Sequence, residues 1–142
     1  MGKALGHAQS SVKKYGGRVE TFLPIHELLD SSRTVFGDVR HRALTHHTYF
    51  VQFIPKILGY DTVTVRRKGV RVKISVLAIA EDHIREDFEG VIPSASDFLG
   101  AVNFSDWMDG KNQKVLPPSK PSHPRTDAVF QRKHFSFRGK ID

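Results

Sequence analysis

The chain has 142 residues, enough for one domain and an extension. Its 22 Lys and Arg stand against 15 Asp and Glu, a net charge of +7 that favours an anionic partner. Cysteine is absent, which excludes disulfides and thiolate metal sites and leaves any metal to His, Asp or Glu. That composition fits a cytoplasmic protein, and no apolar run is long enough for a membrane span or a secretory leader. Hydrophobic residues make up 39% of the chain and aromatics 10%, yet the mean hydropathy is −0.35. The apolar material is therefore concentrated in part of the chain.

Residues 1–21 are polar and basic, and Lys13 and Lys14 precede the Gly16-Gly17 pair. This stretch reads as a basic, irregular arm. A compact domain then runs over 22–109. Its first helix covers Phe22 to Phe36, with Pro24 in the first turn, where its missing N–H is not needed, and Gly37 at the end. Ile25, Leu28, Leu29, Ser32 and Phe36 share a stripe, and His26 and Asp30 sit four residues apart along its edge.

The stretch from Asp38 to Tyr60 reads as a second helix, capped by Asp38 and kinked by Pro55. At about 100° per residue, Val39, Ala43, Phe50, Ile54 and Ile57 fall in one sector with His46 and His47. Two histidines thus point inward, while His41 and Thr45 lie on the wet face. Inward imidazoles cost desolvation unless their nitrogens find partners, so this helix is the candidate site.

From Thr62 to Val76 the apolar period changes to two on either side of Lys68-Gly69, which predicts a β-hairpin over 62–76. A two-residue turn sets Val65 opposite Val72 and Val63 opposite Ile74. The other face then pairs Arg66 with Arg71 and Thr64 with Lys73, either a charge-guarded edge or a surface for phosphates. A third helix covers Ile79 to Glu89, and its His83 and Asp87 are again four apart beside the apolar stripe. A short fourth helix opens with a capping-box spacing from Ser94 to Asp97, and Trp107 and Met108 are expected to close the core. The fold class expected is α+β, mainly helical, with three to four helices and a hairpin insertion.

Residues 110–142 form an extended basic tail. Four of the seven prolines fall between Pro117 and Pro124, and eight Lys or Arg from Lys111 onward face only Asp127 and Asp142. Phe130, Phe135 and Phe137 alternate with Arg132, Lys133 and Arg138, a pattern suited to docking on nucleic acid or on a large protein or nucleoprotein assembly.

The repeated His-x-x-x-Asp spacing defines the candidate metal site: His26, Asp30, His46, His47, His83 and Asp87. Imidazole nitrogen and carboxylate oxygen suit zinc, manganese or iron, and an open position on such an ion activates water. With a basic surface to hold the substrate, this predicts a metal-dependent phosphodiesterase or nuclease. The competing expectation is a non-enzymatic nucleic-acid-binding or virion-docking module using Lys13, Lys14, Arg66, Arg71, Lys73, Arg132, Lys133 and Arg138, and none of the inward histidines.

Arg40 and His47 also resemble the paired Arg and His of the HEPN ribonucleases, a superfamily of helical enzymes. That resemblance implies metal-independent RNA cleavage at the interface of a homodimer. Over 7–108, the segments SVKKYGG, LPIHELLDSS, DVRHRALTHH and DHIREDFEGVIPSASDFL, with Trp107-Met108, resemble an uncharacterised family of small phage and bacterial proteins, a domain of unknown function. The resemblance implies a mixed helical fold with a hairpin insertion and, for a phage-encoded member, a place in host cytoplasm or virion. It implies no reaction.

Overall fold

The structure is a computed structural model that describes residues 3–103 and 105–109. Seven α-helical segments and one two-stranded antiparallel hairpin are present among them, in the order α1 (Ala4–Tyr15), α2 (Val19–Asp30), α3 (Arg42–Thr45), α4 (Thr48–Val51), α5 (Ile54–Leu58), β1 (Thr62–Arg67), β2 (Val70–Ser75), α6 (Val76–Asp87) and α7 (Ala95–Leu99). Short 3-10 turns occupy Ser31–Thr34, Val39–His41 and Asp106–Asp109. The mainly helical fold with a hairpin insertion is as the sequence predicts. The tail and its Arg132, Lys133 and Arg138 lie outside the described residues.

The N-terminal segment is not irregular. It forms α1, which packs along α2 and touches α6. Its buried face consists of His7, Ala8 and Ser11, small or polar residues that carry little apolar signal. The helix stops at Gly16 and Gly17, both at positive φ. A Cβ on Gly17 would stand 2.8 Å from Val65 Cγ1, so the turn and its packing on the hairpin both require glycine.

Helix α2 starts a turn earlier than its Pro24 suggests, leaving that proline inside the helix. Burial of Phe22, Ile25 and Leu29 holds the helix together across the missing backbone bond. Helix α2 packs against α6, where Ile79, Ala80 and Ile84 are fully buried, and Val51, Ile54, Phe88, Val91 and Phe98 complete the core.

The segment from Asp38 to Tyr60 differs most from expectation. Asp38 does cap its first turn, accepting from the Arg40 N–H at 2.9 Å. Instead of one kinked helix, however, α3, α4 and α5 follow one another with breaks at His46-His47 and Gln52-Phe53. His47 adopts an extended backbone, its Nδ1 accepts from the Phe50 N–H, and the Thr48 N–H donates to the Pro93 carbonyl at 2.9 Å. Tertiary partners thus replace helical bonds at the break. The change of direction buries His41 and Thr45, which the single-helix reading leaves wet, and exposes Ile57, which that reading buries.

The hairpin has the expected register: Val65 faces Val72, Val63 faces Ile74, Arg66 faces Arg71 and Thr64 faces Lys73. Lys68 and Gly69 both have positive φ, as a two-residue type I′ turn requires. Val63 and Val65 are buried, and Arg66, Arg71 and Lys73 are exposed. Ser75 caps α6 through the Ala78 N–H, and the Ser94–Asp97 capping box forms as read. Trp107 and Met108 do not close the core; they are 77% and 40% exposed.

Candidate metal centre

Three elements bring ionisable groups to one interior point. Asp30 is the last residue of α2 and Asp87 the last of α6, so two carboxylates sit at helix C-termini. The partial negative charge of those termini disfavours the carboxylates and makes the point attractive to cations. His83 projects from α6 one turn before Asp87, and His46 enters from the break after α3. His46 and His83 are fully buried, and the Asp30 and Asp87 side chains are 9% and 4% exposed.

His46 Nε2 lies 3.1 Å from His83 Nε2, 3.2 Å from Asp87 Oδ2 and 3.7 Å from Asp30 Oδ1. His83 Nε2 lies 3.6 Å from both Asp30 Oδ1 and Asp87 Oδ2. A tetrahedral ion with ligand bonds of about 2.0–2.2 Å separates its donor atoms by about 3.3–3.6 Å. Each of the two imidazole nitrogens therefore already stands from the other three donors at close to the spacing of such a coordination shell.

The surrounding hydrogen bonds aim the lone pairs. The Thr45 hydroxyl donates to the Leu29 carbonyl at 2.7 Å and lies 2.9 Å from His46 Nδ1. With its proton committed, it accepts from Nδ1–H, which assigns a lone pair to His46 Nε2. Likewise the Ser32 hydroxyl shares its proton between Thr45 Oγ1 at 2.8 Å and the His41 carbonyl at 3.0 Å, and accepts from His41 Nδ1–H at 3.0 Å. Behind His83, Nδ1 lies 2.9 Å from His26 Nδ1, and His26 Nε2 lies 2.9 Å from Ser11 Oγ. A one-step shift of protons along that chain frees His83 Nε2 for a cation.

Two sequence candidates are placed elsewhere. Both His26 nitrogens are engaged with His83 and Ser11, so His26 stands behind the centre and does not pair with Asp30 through the four-residue spacing. His47, at the N-cap of α4, accepts from Phe50 N–H and packs near Phe98 and Tyr49. Arg40 holds Asp38 through Nε and Nη2 at 2.8–3.1 Å on the exposed surface, so the broken helix does not assemble an Arg40–His47 pair on one face.

Two further histidines, which the sequence does not single out, stand at the centre. His7 lies 3.6 Å from Asp87 Oδ1 through Nε2, and its Nδ1 bonds Glu86. His41 is fully buried beside His46, edge-on, with ring centroids 4.9 Å apart. Arg42 places Nη2 3.0 Å from Asp87 Oδ1 and stacks on Phe88, fixing the second carboxylate oxygen. Two groups of donor atoms lie within 4.8 Å of one another: His7, His83 and Asp87, and Asp30, His41 and His46. Each could hold a metal ion.

Charge states suit that role. Burial pushes His26 and His46 down to about 3, with the His83 ring adding to the effect, and burial with nearby Arg33 pushes His41 down to about 4. These imidazoles are neutral near pH 7, the ligating form. Burial acts to raise Asp30 and Asp87, but the close imidazoles and the charge of Arg33 or Arg42 hold both carboxyls below the usual range.

The family model for a domain of unknown function, DUF6915, matches residues 2–108. The chain belongs to the DUF6915 family. No curated protein and no solved structure matches it. The match spans the whole His/Asp cluster of this DUF6915 chain, from His7 to Asp87. No helix among its described residues is long and apolar enough to cross a membrane.

Proposed function

We propose that this DUF6915 chain is a divalent-metal protein, with Asp30, His46, His83 and Asp87 as ligands, and that it hydrolyses phosphodiesters. The observation that carries the reading is a set of four buried donor atoms in which each imidazole nitrogen is 3.1–3.7 Å from the other three, two of them carboxylate oxygens without hydrogen-bond partners. Buried charge of that kind is costly unless a counter-charge occupies the site. The donor set of nitrogen and oxygen suits zinc, manganese or iron, and its near-tetrahedral spacing favours zinc.

A bound divalent ion would supply a Lewis acid that brings the pKa of water towards neutrality. The protein's own residues supply the rest. Arg42 and Glu86 hold Asp87 and His7 in place, and the Ser11–His26–His83 chain leads from the centre towards a surface pocket of about 250 Å³ lined by Ser10, Ser11, Lys14, Asp82, Arg85 and Glu86. In the reaction, water oxygen bonds to phosphorus, the ester P–O bond breaks, and the leaving alcohol takes a proton.

A non-enzymatic nucleic-acid-binding reading draws on a separate observation. Arg66 and Arg71 face each other on the exposed side of the hairpin with Lys73. The main-chain oxygen of Arg66 lies beside Gly16, just past the end of α1 that carries Lys13 and Lys14, and Lys14 pairs with Asp82 of α6. The two readings separate cleanly by assay. Turnover of bis(4-nitrophenyl) phosphate by zinc- or manganese-loaded protein, lost with chelator and in His46→Ala, supports the hydrolase; salt-sensitive RNA or DNA binding unaffected by chelator, without turnover, supports the binding module.

A further inference from the structure

We infer that the centre takes two divalent ions, one on His7, His83 and Asp87 and the other on Asp30, His41 and His46. This rests on the metal reading above and deepens it. The first argument is an accounting of buried polar atoms. His7 Nε2, Asp30 Oδ1 and Oδ2, His41 Nε2 and Asp87 Oδ2 are all buried without a hydrogen-bond partner. A single ion among Asp30 Oδ1, His46, His83 and Asp87 Oδ2 satisfies two of these five atoms and leaves His7 Nε2, His41 Nε2 and Asp30 Oδ2 bare. Two ions satisfy four of the five and leave one Asp30 oxygen. An unpartnered buried polar atom is costly, so the arrangement that leaves fewest is favoured.

The second argument is geometric. The two donor groups share no residue, each supplies two imidazoles and a carboxylate within 4.8 Å, and they abut through His46 and His83, whose Nε2 atoms are 3.1 Å apart. Asp87 turns Oδ2 towards His46 and His83 while Oδ1 lies towards His7, so one carboxylate spans both groups. Three protein donors per ion leave each with an open position, as catalytic sites do, and paired ions about 3.5–4 Å apart are the usual arrangement for phosphoryl ester hydrolysis.

The third argument is charge. Asp30 and Asp87 neutralise one divalent ion but not two, and Arg42 adds a positive charge at Asp87. Glu86, bonded to His7, offsets part of the excess. The remaining positive charge suits an anionic phosphoester as the ligand that completes the centre.

Elemental analysis and calorimetric titration of the full chain, stripped with chelator and reloaded with zinc, test this. Two zinc ions per wild-type chain are expected, falling to one in His7→Asn and to one in His41→Asn. A manganese-loaded wild-type sample should also give the electron paramagnetic resonance spectrum of a coupled pair, which needs no variant to fold. One ion per chain, with an uncoupled manganese spectrum, overturns the two-ion inference and leaves the single-ion reading standing. No bound ion overturns both, and two ions retained in both variants place the second ion elsewhere and overturn the inference.

Discussion

His46 and His83 face each other Nε2 to Nε2 across 3.1 Å, each with its other nitrogen held from behind, by Thr45 and by His26 respectively. Two opposed lone pairs are not stable at that distance, so a proton or a cation must lie between them. The two carboxylates that close on the same point, both from helix C-termini, add negative charge there that suits a cation.

Asp87→Asn and Asp30→Asn are expected to separate a stability role from a metal role. Asp87 accepts the buried Arg42 guanidinium and neighbours three histidines, so its loss leaves Arg42 uncompensated and costs about 3–5 kcal/mol even without metal. Asp30 is held ionised by His83, His46 and Arg33 at 3.6–3.7 Å with no direct hydrogen bond, so its amide variant should cost the chelator-treated protein less than Asp87→Asn does, while the gain on adding metal disappears. Urea unfolding of both variants, with chelator and with zinc, measures the difference.

His26→Ala should weaken metal binding without changing stoichiometry. His26 holds His83 from behind and is in turn held by Ser11, and removing such support lowers metal affinity by about 10- to 100-fold. Competition against a chromophoric zinc chelator reads the affinity directly. His26→Gln, which keeps a polar partner for His83, should recover part of the affinity.

Some of this architecture is legible in the sequence and some is not, for identifiable physical reasons. The hairpin register, the Lys68-Gly69 turn, the Asp38 cap and the Ser94–Asp97 capping box rest on local chemistry, and all are present. The break at His46-His47 is set by bonds to Pro93 and by the His47 ring, partners remote from any periodicity. Periodicity therefore places His46 and His47 on one face, whereas the chain sends only His46 to the centre. His7 carries no apolar signal because α1 buries polar and small side chains, and His41 reads as wet because the helix that would expose it does not form as one piece.

Acid should unfold the chelator-treated protein from an unusually high pH. His26 and His46 titrate near 3 and His41 near 4 when folded, against about 6.5 unfolded, so the unfolded chain binds protons first as pH falls. Their contribution to stability is complete above about pH 6.5 and is lost progressively towards pH 3–4, at up to about 1.4 kcal/mol per pH unit for each imidazole. The depressed Asp30 and Asp87 act in the same direction below the ordinary carboxylate range. His7, raised because the Asp87 and Glu86 bonds outweigh its burial, acts oppositely: its contribution is present below its unfolded pKa and is lost as pH rises through the folded one. Denaturant midpoints measured from pH 8 to pH 4 should fall with acid; a flat profile would contradict the neutral, buried state of the three rings.

Reversing the hairpin charge should affect binding and not the centre. Arg66→Glu with Arg71→Glu alters exposed side chains opposite one another, leaving Val63 and Val65 buried on the other face. Affinity for single-stranded nucleic acid should drop, and the slope of its logarithm against the logarithm of salt concentration should fall in magnitude by about one for each phosphate no longer neutralised, with metal content and melting temperature unchanged. Fluorescence anisotropy across a salt series reads both.

The most direct measurement of the central claim is melting temperature and metal content on one preparation, before chelator treatment, after it, and after zinc is restored. Bound divalent metal at one or more per chain, a fall in melting temperature on stripping, and recovery with zinc are expected, since an ion present at about a thousand times its dissociation constant adds about 4 kcal/mol to the folded state. Folded protein that carries no metal and melts at the same temperature with chelator and with excess zinc would contradict the claim.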